Sequence, residues 1–344
     1  MKILYGVQTT GNGHIVRSTE IIKGLRSLGH DIHVVLSGRP KKKTWSRDIF
    51  HPAAVRRGLT FITENGKVKY LRTAFQLDIL RFYRDIFSFK ANDFDLVVTD
   101  YEPITARIAM LRRIPSIGVG HLYAFLYKVP VAGFDPIGRA VLKCFAPARY
   151  TLGLHWHHFG EPLLPPSIPK DIMKREKTIQ DKILVYLPFE NLDEIEKFLH
   201  PYKNYHFYIY WKVEEPLDEG NLHLRPFSRT GFIKDLADCS GVFGNAGFSL
   251  TSEALHLGKR ILVKPLSGQI EQRSNALALE RLGLGNVMRR HFDHYVMERW
   301  LKSPPLKSCE YPDVFEHIVR WIHEGRWEDV QTLSRELWKK VKNC

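Results

Sequence analysis

The stretch Gly241–Asn275, GVFGNAGFSLTSEALHLGKRILVKPLSGQIEQRSN, decides the fold of the second half of the chain. A short strand over Gly241–Phe243 leads into a helix over Leu250–Leu257, and a second strand follows over Arg260–Val263. A strand, a crossover helix and a second strand form the building unit of a parallel sheet. The turn Gly244–Gly247 places backbone amides at a helix N-terminus, where the helix dipole attracts phosphate. We therefore expect a diphosphate site at the carboxyl edge of a parallel sheet.

The same alternation of strands and helices extends over the rest of the chain. We predict further strands at Ile3–Val7, Ile32–Leu36, Leu96–Thr99, Ile114–Val119, Ile183–Leu187 and His206–Tyr210. Further helices are predicted at Ile15–Leu28, Leu192–Leu199 and Phe232–Asp238. This alternation favours an α/β fold with two Rossmann-like doubly wound parallel-sheet domains that face a central cleft.

The length of the chain also favours two domains. With 344 residues, 44% of them hydrophobic, the chain is longer than the roughly 250 to 300 residues that one core usually serves. The strand and helix pattern breaks at EPLLPPSIPK, a proline-rich composition typical of a linker. We predict an N-terminal domain over residues 1–160, a linker over 161–178, a C-terminal domain over 179–314, and C-terminal helices over 315–344 that can cross back to the first domain.

A glycine turn after the first strand presents a histidine. Gly11 and Gly13 precede His14 in the segment TTGNGH. A dinucleotide fingerprint would have a third glycine where Val16 stands, and a P-loop would continue with Gly-Lys-Ser/Thr, so neither motif is present. An imidazole has an ordinary pKa of about 6.5, which suits a general base near neutral pH. A helix-capping or packing histidine is the alternative interpretation.

An aspartate is expected at the same edge of the first sheet. Asp100 follows the strand predicted over Leu96–Thr99, so it emerges where His14 also lies. A carboxylate within hydrogen-bond reach of a histidine fixes its tautomer and stabilises the imidazolium. Taken alone, Asp100 is also typical of a turn or helix cap, and the pair is more informative than either residue.

Three acidic or amide side chains follow the glycine turn of the second half. Glu253 lies on the helix after that turn, where its two oxygens can accept both hydroxyls of a ribose. Glu271 and Gln272 begin the next helix, after the bend at Lys264–Pro265. These two side chains can hydrogen-bond the hydroxyls of a sugar.

The segment Gly244–Asn275 resembles the donor-binding signature of GT-B glycosyltransferases. The resemblance is to the branch that includes the peptidoglycan N-acetylglucosaminyl transferase and the plant UDP-glycosyltransferases. The motifs QTTGNGHIVRS and VVTDYEP further resemble a prokaryotic subgroup of that branch. The resemblance covers nearly the whole chain, and it implies transfer of a sugar from a nucleotide-sugar, with a UDP-sugar as the expected donor, to an acceptor hydroxyl.

The resemblance also implies roles by position. His14 matches the catalytic base and Asp100 its orienting aspartate. The donor-binding positions are matched by Asn245, Gly247, Phe248 and Ser249 in the phosphate turn, by Glu253 at the ribose, and by Glu271 and Gln272 at the sugar.

The base of the nucleotide is expected against the loop Pro226–Ile233, where Phe227 can stack on uracil; a core phenylalanine is the alternative. Two departures from the plant pattern concern the donor, namely Asn245 in place of histidine and two extra residues between Pro265 and the Glu-Gln pair.

The chemistry implied is a single inverting displacement without a metal or cofactor, the UDP-sugar being a co-substrate. No predicted strand ends in a DxD-like pair of the kind that holds a divalent ion. The four cysteines form no Cys-x-x-Cys pair, which argues against a zinc site and a disulfide framework. His155, His157 and His158 cluster, but no carboxylate or cysteine at ligand spacing accompanies them, so we favour a cleft-lining segment over a metal site.

Two other functions remain possible for this fold. A nucleotide-sugar 2-epimerase would hold the same nucleotide but would need further catalytic carboxylates in the cleft. A non-catalytic nucleotide-sugar binding subunit would not need His14. A nucleic-acid binder is not expected, because no recognition motif accompanies the charge.

Nearly all of the net positive charge lies in the first half of the chain. Residues 1–160 contain 24 Lys/Arg against 11 Asp/Glu, whereas residues 161–344 contain 27 against 26. This asymmetry suggests an anionic partner, such as a lipid-linked acceptor of a cell-envelope glycan bound near the loops Lys41–Arg57 and Gly120–Asp135. The segment Phe75–Phe89 mixes aromatic side chains with arginines, which is typical of a membrane-surface helix or of core packing.

No stretch of the sequence reaches 18 uninterrupted apolar residues, and the start MKILYGVQTT has no apolar segment long enough for a signal peptide. We therefore expect a cytoplasmic protein, with a peripheral position on the inner face of the membrane as a further option.

Overall fold

The structure is a computed structural model that describes residues 1–38, 48–60, 63–64, 67–68, 78–91, 93–133, 136–172 and 176–343. Parts of four segments discussed above lie outside the described residues. They are residues 41–47 and 134–135 of the expected acceptor loops, residues 75–77 of the expected membrane-surface helix and residues 173–175 of the proline-rich segment.

The first domain is built on a six-stranded sheet in which every neighbouring pair is parallel. The first eight strands of the chain are β1 (Lys2–Gln8), β2 (Asp31–Ser37), β3 (Ala53–Arg56), β4 (Thr63–Glu64), β5 (Lys67–Val68), β6 (Leu96–Asp100), β7 (Ser116–Gly120) and β8 (Tyr150–Gly153). Six of them form the sheet in the order β3-β2-β1-β6-β7-β8, while β4 and β5 pair separately. The helices are α1 (Asn12–Ser27), α2 (Ile79–Phe87), α3 (Pro103–Arg112) and α4 (Pro136–Cys144).

The second domain repeats this arrangement with seven strands. They are β9 (Lys182–Tyr186), β10 (His206–Trp211), β11 (Leu217–Glu219), β12 (Leu222–Pro226), β13 (Gly241–Gly244), β14 (Arg260–Val263) and β15 (Asn286–Val287). Their order is β11-β12-β10-β9-β13-β14-β15, parallel except for the edge strand β11. The helices are α5 (Leu192–Leu199), α6 (Arg229–Asp238), α7 (Phe248–His256), α8 (Ile270–Arg281), α9 (His294–Leu301), α10 (Val314–Glu324) and α11 (Val330–Lys340).

Each sheet has a point where its strand order reverses. The reversal lies between β1 and β6 in the first domain and between β9 and β13 in the second. Ligands of open α/β sheets bind in the crevice at such a point, outside the carboxyl ends of the strands. The predicted fold class, with two doubly wound parallel-sheet domains, is confirmed.

The central strands are apolar on both faces, as expected for strands covered by helices on both sides. Ile3, Leu4 and Tyr5 of β1 are all fully buried. Val7 of this strand is the register partner of Asp100 in β6, so the turns that follow the two strands leave the sheet side by side.

The proline-rich segment over residues 161–178 is more than a connection between domains. Leu163, Leu164 and Ile168 are fully buried. The Leu164 amide donates to the Gly153 carbonyl (2.8 Å), and the Leu164 carbonyl accepts from the His155 amide (2.9 Å). The segment therefore extends the edge of the first sheet, and its leucines contribute to the core.

The C-terminal helices contact the first domain. A Cβ built on Gly24 of α1 would lie 2.7 Å from Cγ2 of Val319 on α10. His30 Nε2 lies 3.0 Å from His323 Nδ1. Trp338 of α11 donates from its indole nitrogen to the Leu163 carbonyl (2.7 Å). The precise domain boundaries stay a prediction.

The domains share buried apolar surface. The largest cluster of buried apolar side chains includes residues of both sheets, among them Val98 and Val242. This continuity arises because α7 and α10 pack against α1 of the first domain.

Two further observations concern the chain as a whole. Within the described residues, no helix combines the length and the apolar character that crossing a membrane requires. Cys144 and Cys239 are free thiols, whereas Cys309 is disulfide-bonded, which the sequence analysis did not predict.

Candidate active site

The predicted base and carboxylate lie together. His14 Nδ1 is 2.7 Å from Asp100 Oδ1. The contact forms because His14 lies in the first turn of α1, directly after β1, and Asp100 ends the neighbouring strand β6. Asp100 is fully buried, while 19% of the His14 side chain is exposed toward the space between the domains. Tyr101 has a left-handed backbone conformation (φ 55°), which turns the chain away immediately after the carboxylate.

Two side chains that the sequence analysis did not identify complete this group. Arg17 donates to both carboxylate oxygens of Asp100, from Nε (2.9 Å) and from Nη2 (2.5 Å). Ser18 adds a hydroxyl donor at 3.1 Å. Positions three and four residues after His14 share its helix face, so the spacing His-x-x-Arg-Ser was the available signal.

The electrostatics of the group keep the carboxylate beside His14 ionised. Burial raises the pKa of Asp100, but the Arg17 guanidinium and His14 outweigh it and lower that pKa below its ordinary value. An ionised carboxylate only accepts hydrogen bonds, so His14 donates from Nδ1 and leaves the lone pair on Nε2 free. Arg17 Nη2 is also 3.1 Å from His14 Nδ1, but a guanidinium cannot accept, and its proton is directed to Asp100.

A glycine at the end of β7 leaves room for this ion pair. Gly120 has φ +145°, and a Cβ built on it would lie 3.0 Å from Arg17 Nη2 and 3.3 Å from Asp100 Oδ1. The position therefore requires glycine, both for its backbone conformation and for its close approach.

The glycine turn of the first domain contacts the phosphate turn of the second. A Cβ built on Gly13 would lie 2.3 Å from Ser249 Oγ, and one built on Gly11 would lie 3.2 Å from His14 Cδ2. Asn12 Nδ2 donates to the Tyr186 hydroxyl (3.3 Å). Gly13 thus allows the two domains to approach each other, and Gly11 leaves room for the His14 ring.

The phosphate turn has open space beside it. Gly247 is the N-cap of α7 and supplies no side-chain cap. None of the described residues has an atom within 4 Å of a Cβ built there. The neighbouring Asn245 is buried; its Nδ2 donates to the Lys264 carbonyl (3.0 Å), while its Oδ1 has no hydrogen-bond partner among the described residues. The amides at the start of α7 therefore face a space that an anion can enter.

Phe248 and Ser249 have different surroundings. The Phe248 ring is buried against the first domain, stacked on His121 at a centroid distance of 4.0 Å and beside Trp156 at 5.1 Å. Ser249 is half-buried and faces Gly13. Of these two predicted donor residues, only Ser249 presents its side chain to the gap between the domains.

Glu253 lies on α7, 5% exposed. Burial raises the pKa of Glu253 to about 7, although Arg229, whose Nη1 is 3.8 Å from the carboxylate, lowers it. Arg229 is itself held by Asp171, with its Nη2 at 3.0 Å from Oδ1. Phe227, the expected stacking residue, is half-buried and meets Tyr186 edge to face at 6.2 Å.

Glu271 and Gln272, in the first turn of α8, have different surroundings. Burial raises the pKa of Glu271, and the positive field of His14 and Arg17 lowers it, so this carboxyl lies within electrostatic reach of the base across the domain interface. Gln272 is buried, and its Oε1 accepts from the Leu266 amide (3.0 Å). The structure therefore brings Glu271, but not the acceptor oxygen of Gln272, toward His14.

The histidine cluster has packing and capping contacts. His155 is 1% exposed, and its Nδ1 accepts from the Trp156 amide (2.9 Å). The rings of His157 and His158 stack at 4.7 Å. In the part of the chain that the structure describes, no three His, Cys, Asp or Glu side chains are placed to bind a metal ion.

Several solved structures have the same fold. The spinosyn rhamnosyltransferase SpnG, complexed with thymidine diphosphate, has a TM-score of 0.56 and 14% identity over 98% of this chain and 96% of its own. The glycosyltransferase SnogD from Streptomyces nogalater has a TM-score of 0.54 and 14% identity over 98% and 96%. MurG of Acinetobacter baumannii has a TM-score of 0.51 and 14% identity over 97% and 94%.

Sequence comparison gives the family. The search of curated proteins finds no match. Residues 1–305 match the family described as glycosyl transferase family 1, and the expected resemblance to GT-B glycosyltransferases is confirmed. Because that match covers most of its length, the chain belongs to glycosyl transferase family 1 and is a glycosyltransferase of the GT-B fold.

Proposed function

We propose that this glycosyltransferase moves a sugar from a nucleoside diphosphate, UDP or dTDP, to an acceptor hydroxyl with inversion at the anomeric carbon. The observation that carries the proposal is the position of His14. Its partly exposed imidazole is held by the buried Asp100 at one edge of the cleft. The N-terminus of α7, which starts at Phe248, lies on the other side of the Gly13–Ser249 contact.

His14 acts as the general base. Its Nε2 lone pair takes the proton of the acceptor hydroxyl, and the oxygen attacks the anomeric carbon opposite the leaving nucleotide. The imidazolium that forms is stabilised by Asp100, which stays ionised because Arg17 lowers its pKa. One displacement of this kind inverts the anomeric centre.

The donor lies against the second domain. Amides at the start of α7 bind the diphosphate and stabilise it as it leaves, so the mechanism needs no metal or cofactor. Glu253 accepts the ribose hydroxyls, Phe227 lies beside the base, and Glu271 reaches the sugar near His14. Thymidine diphosphate bound to SpnG supports a nucleoside diphosphate as the ligand class.

The acceptor is an anionic or lipid-linked molecule that is reached at a membrane surface. Helix α2 buries Phe82 and Ile86, but exposes large apolar side chains on its other face, namely Ile79, Leu80, Tyr83 and Phe87. The cationic Arg81 and Arg84 are exposed between them. An exposed apolar stripe with interleaved arginines is suited to the headgroup region of an anionic membrane.

Calorimetry tests the donor site. UDP, dTDP and GDP are titrated in a chelating buffer into the wild type, Glu253→Ala, and Glu298→Ala as a control at an exposed position of α9. We expect one nucleotide to bind without metal, and Glu253→Ala alone to weaken it about tenfold, equivalent to about 1.4 kcal/mol. A folded wild type that binds none of them would overturn the proposed donor class.

A further inference from the structure

His121 of the first domain reaches into the second domain. It follows Gly120, the glycine beside Arg17 and Asp100, and begins the short 3-10 helix His121–Leu126. The ring is 3% exposed and stacks on Phe248, the first residue of α7, with an interplanar angle of 3°. One turn of the chain thus contacts both the catalytic ion pair and the start of the helix that faces the donor.

Hydrogen bonds connect His121 to the phosphate turn. His121 Nε2 is 2.6 Å from Asn275 Oδ1, across 154 residues of sequence. Asn275, which is fully buried on α8, donates from Nδ2 to the Ala246 carbonyl (2.9 Å). Ala246 is the residue before Gly247, so Asn275 holds the peptide that leads into the open amides of α7.

The other ring nitrogen contacts the first domain. His121 Nδ1 is 2.8 Å from the Leu154 carbonyl. Burial lowers the pKa of His121 to about 4, and the nearby Arg17 and His14 add to this effect, so the ring is neutral near pH 7. A neutral imidazole has one N–H, and both neighbouring oxygens only accept, so the ring donates to one of them. We assign the proton to Nε2, because Asn275 Oδ1 at 2.6 Å is the nearer acceptor.

We propose that His121 is a positioning residue for the donor: through Asn275 it holds the Ala246 carbonyl, and with it the amides of the phosphate turn, in the orientation that binds the diphosphate. This inference rests on the proposed function. It makes nucleotide affinity depend on contact with the acceptor domain, because the side chain that secures the turn belongs to that domain.

The alternative is that His121 only packs at the interface. Three substitutions separate the two roles. His121→Phe keeps an aromatic ring against Phe248 and removes the hydrogen bond to Asn275. In His121→Gln the side-chain amide nitrogen can reach the position of Nε2 and contact Asn275, whereas in His121→Asn it reaches the position of Nδ1 and contacts Leu154 instead.

A matched control lies in the same interface. Trp156 Nε1 donates to Ser252 Oγ (2.9 Å), which also joins the two domains. Trp156→Phe removes this hydrogen bond without touching the Asn275–Ala246 contact. Thermal unfolding followed by circular dichroism shows whether each variant is folded, and calorimetry with UDP and dTDP gives the dissociation constants.

We expect His121→Phe and Asn275→Ala each to weaken nucleotide binding about tenfold, or about 1.4 kcal/mol, and the double variant to be no weaker than the weaker single one. His121→Gln should recover most of the affinity, and His121→Asn and His121→Phe should not. Trp156→Phe should bind within about twofold of the wild type.

Two results would overturn the inference, and they are distinguishable. If the wild type binds nucleotide and His121→Phe binds it equally well, or if Trp156→Phe weakens binding as much as His121→Phe, His121 only packs at the interface and the proposed function stands. If the folded wild type binds no nucleotide, the proposed function fails and the inference fails with it.

Discussion

Arg17 and Asp100 form a buried ion pair in which two guanidinium nitrogens of one residue contact both carboxylate oxygens of the other, at 2.9 and 2.5 Å. The pair joins the start of α1 to the end of β6 directly behind His14. Because Arg17 lowers the pKa of Asp100, the carboxylate stays ionised and accepts a hydrogen bond from His14 at neutral pH. The same ion pair contributes to the stability of the first domain.

We expect Arg17→Met to lower the free energy of unfolding by about 3 kcal/mol, because removing one partner leaves a buried charge uncompensated. The double variant Arg17→Met/Asp100→Asn should recover part of that loss. Urea unfolding at pH 7 measures both. As a control, Arg289→Met breaks the exposed pair with Glu280 and should cost less than about 1 kcal/mol. Equal losses for Arg17→Met and Arg289→Met would contradict the account.

The contact between Gly13 and Ser249 should not tolerate a methyl group. Gly13→Ala places a Cβ 2.3 Å from Ser249 Oγ, so we expect weaker nucleotide binding and a lower melting temperature. Ser249→Gly removes the obstructing atoms, and the double variant should regain stability. Gly29→Ala, which meets nothing within 4 Å in the described residues but has φ +79°, shows the size of a purely conformational effect. A Gly13→Ala protein with unchanged stability and affinity would show that the domains do not close as described.

Nucleotide affinity should rise with pH through neutrality. The pKa of Glu253 is raised to about 7, so the carboxyl is protonated below this pH and ionised above it. The ionised form accepts two ribose hydroxyls, and nucleotide binding therefore favours it. We expect about tenfold tighter binding at pH 8 than at pH 6 by calorimetry. In Glu253→Gln, nucleotide affinity should no longer rise between pH 6 and pH 8. If its affinity rises with pH as in the wild type, Glu253 is not the carboxylate that binds the ribose.

The exposed face of α2 should bind anionic membranes. We expect the protein to sediment with vesicles of phosphatidylglycerol more than with vesicles of phosphatidylcholine, and Leu80→Ser/Phe87→Ser to reduce this binding severalfold. Leu80 is 87% and Phe87 63% exposed, so neither substitution should affect the core. Leu217→Ser, at an exposed edge strand of the other domain, is the control. Identical sedimentation of the α2 variant and the wild type would show that the exposed face of α2 does not bind the membrane.

The fold was largely predictable because its strands are nearly continuous apolar runs. The predicted helix Leu192–Leu199 has the bounds observed for α5, and β1 and β2 exceed their predicted bounds by one residue at each end. The strands β8 and β12 are not evident from the sequence, because polar residues interrupt their apolar pattern and Pro226 ends β12. The proline-rich composition predicts a linker, because composition alone does not show that the leucines of this segment pack into a core.

The site was only partly predictable. His14 and Asp100 follow neighbouring strands, so a parallel sheet brings them together, and their contact could be anticipated. Arg17 was overlooked because an arginine on a helix is usually solvated. The contact of His121 with Asn275 depends on how the two domains dock, and no local pattern in the sequence reports docking. The roles of the donor residues stay predictions.

The most direct test of the account is turnover by His14→Ala. Release of UDP or dTDP from nucleotide-sugars is measured in a chelating buffer with a membrane lipid extract as acceptor, for the wild type, His14→Ala, and His291→Ala at an exposed loop as control. We expect His14→Ala to bind nucleotide normally but to lose at least about 100-fold in acceptor-dependent release, while His291→Ala is unaffected. Turnover by His14→Ala at the wild-type rate would contradict the central claim that this histidine is the base of a glycosyl transfer.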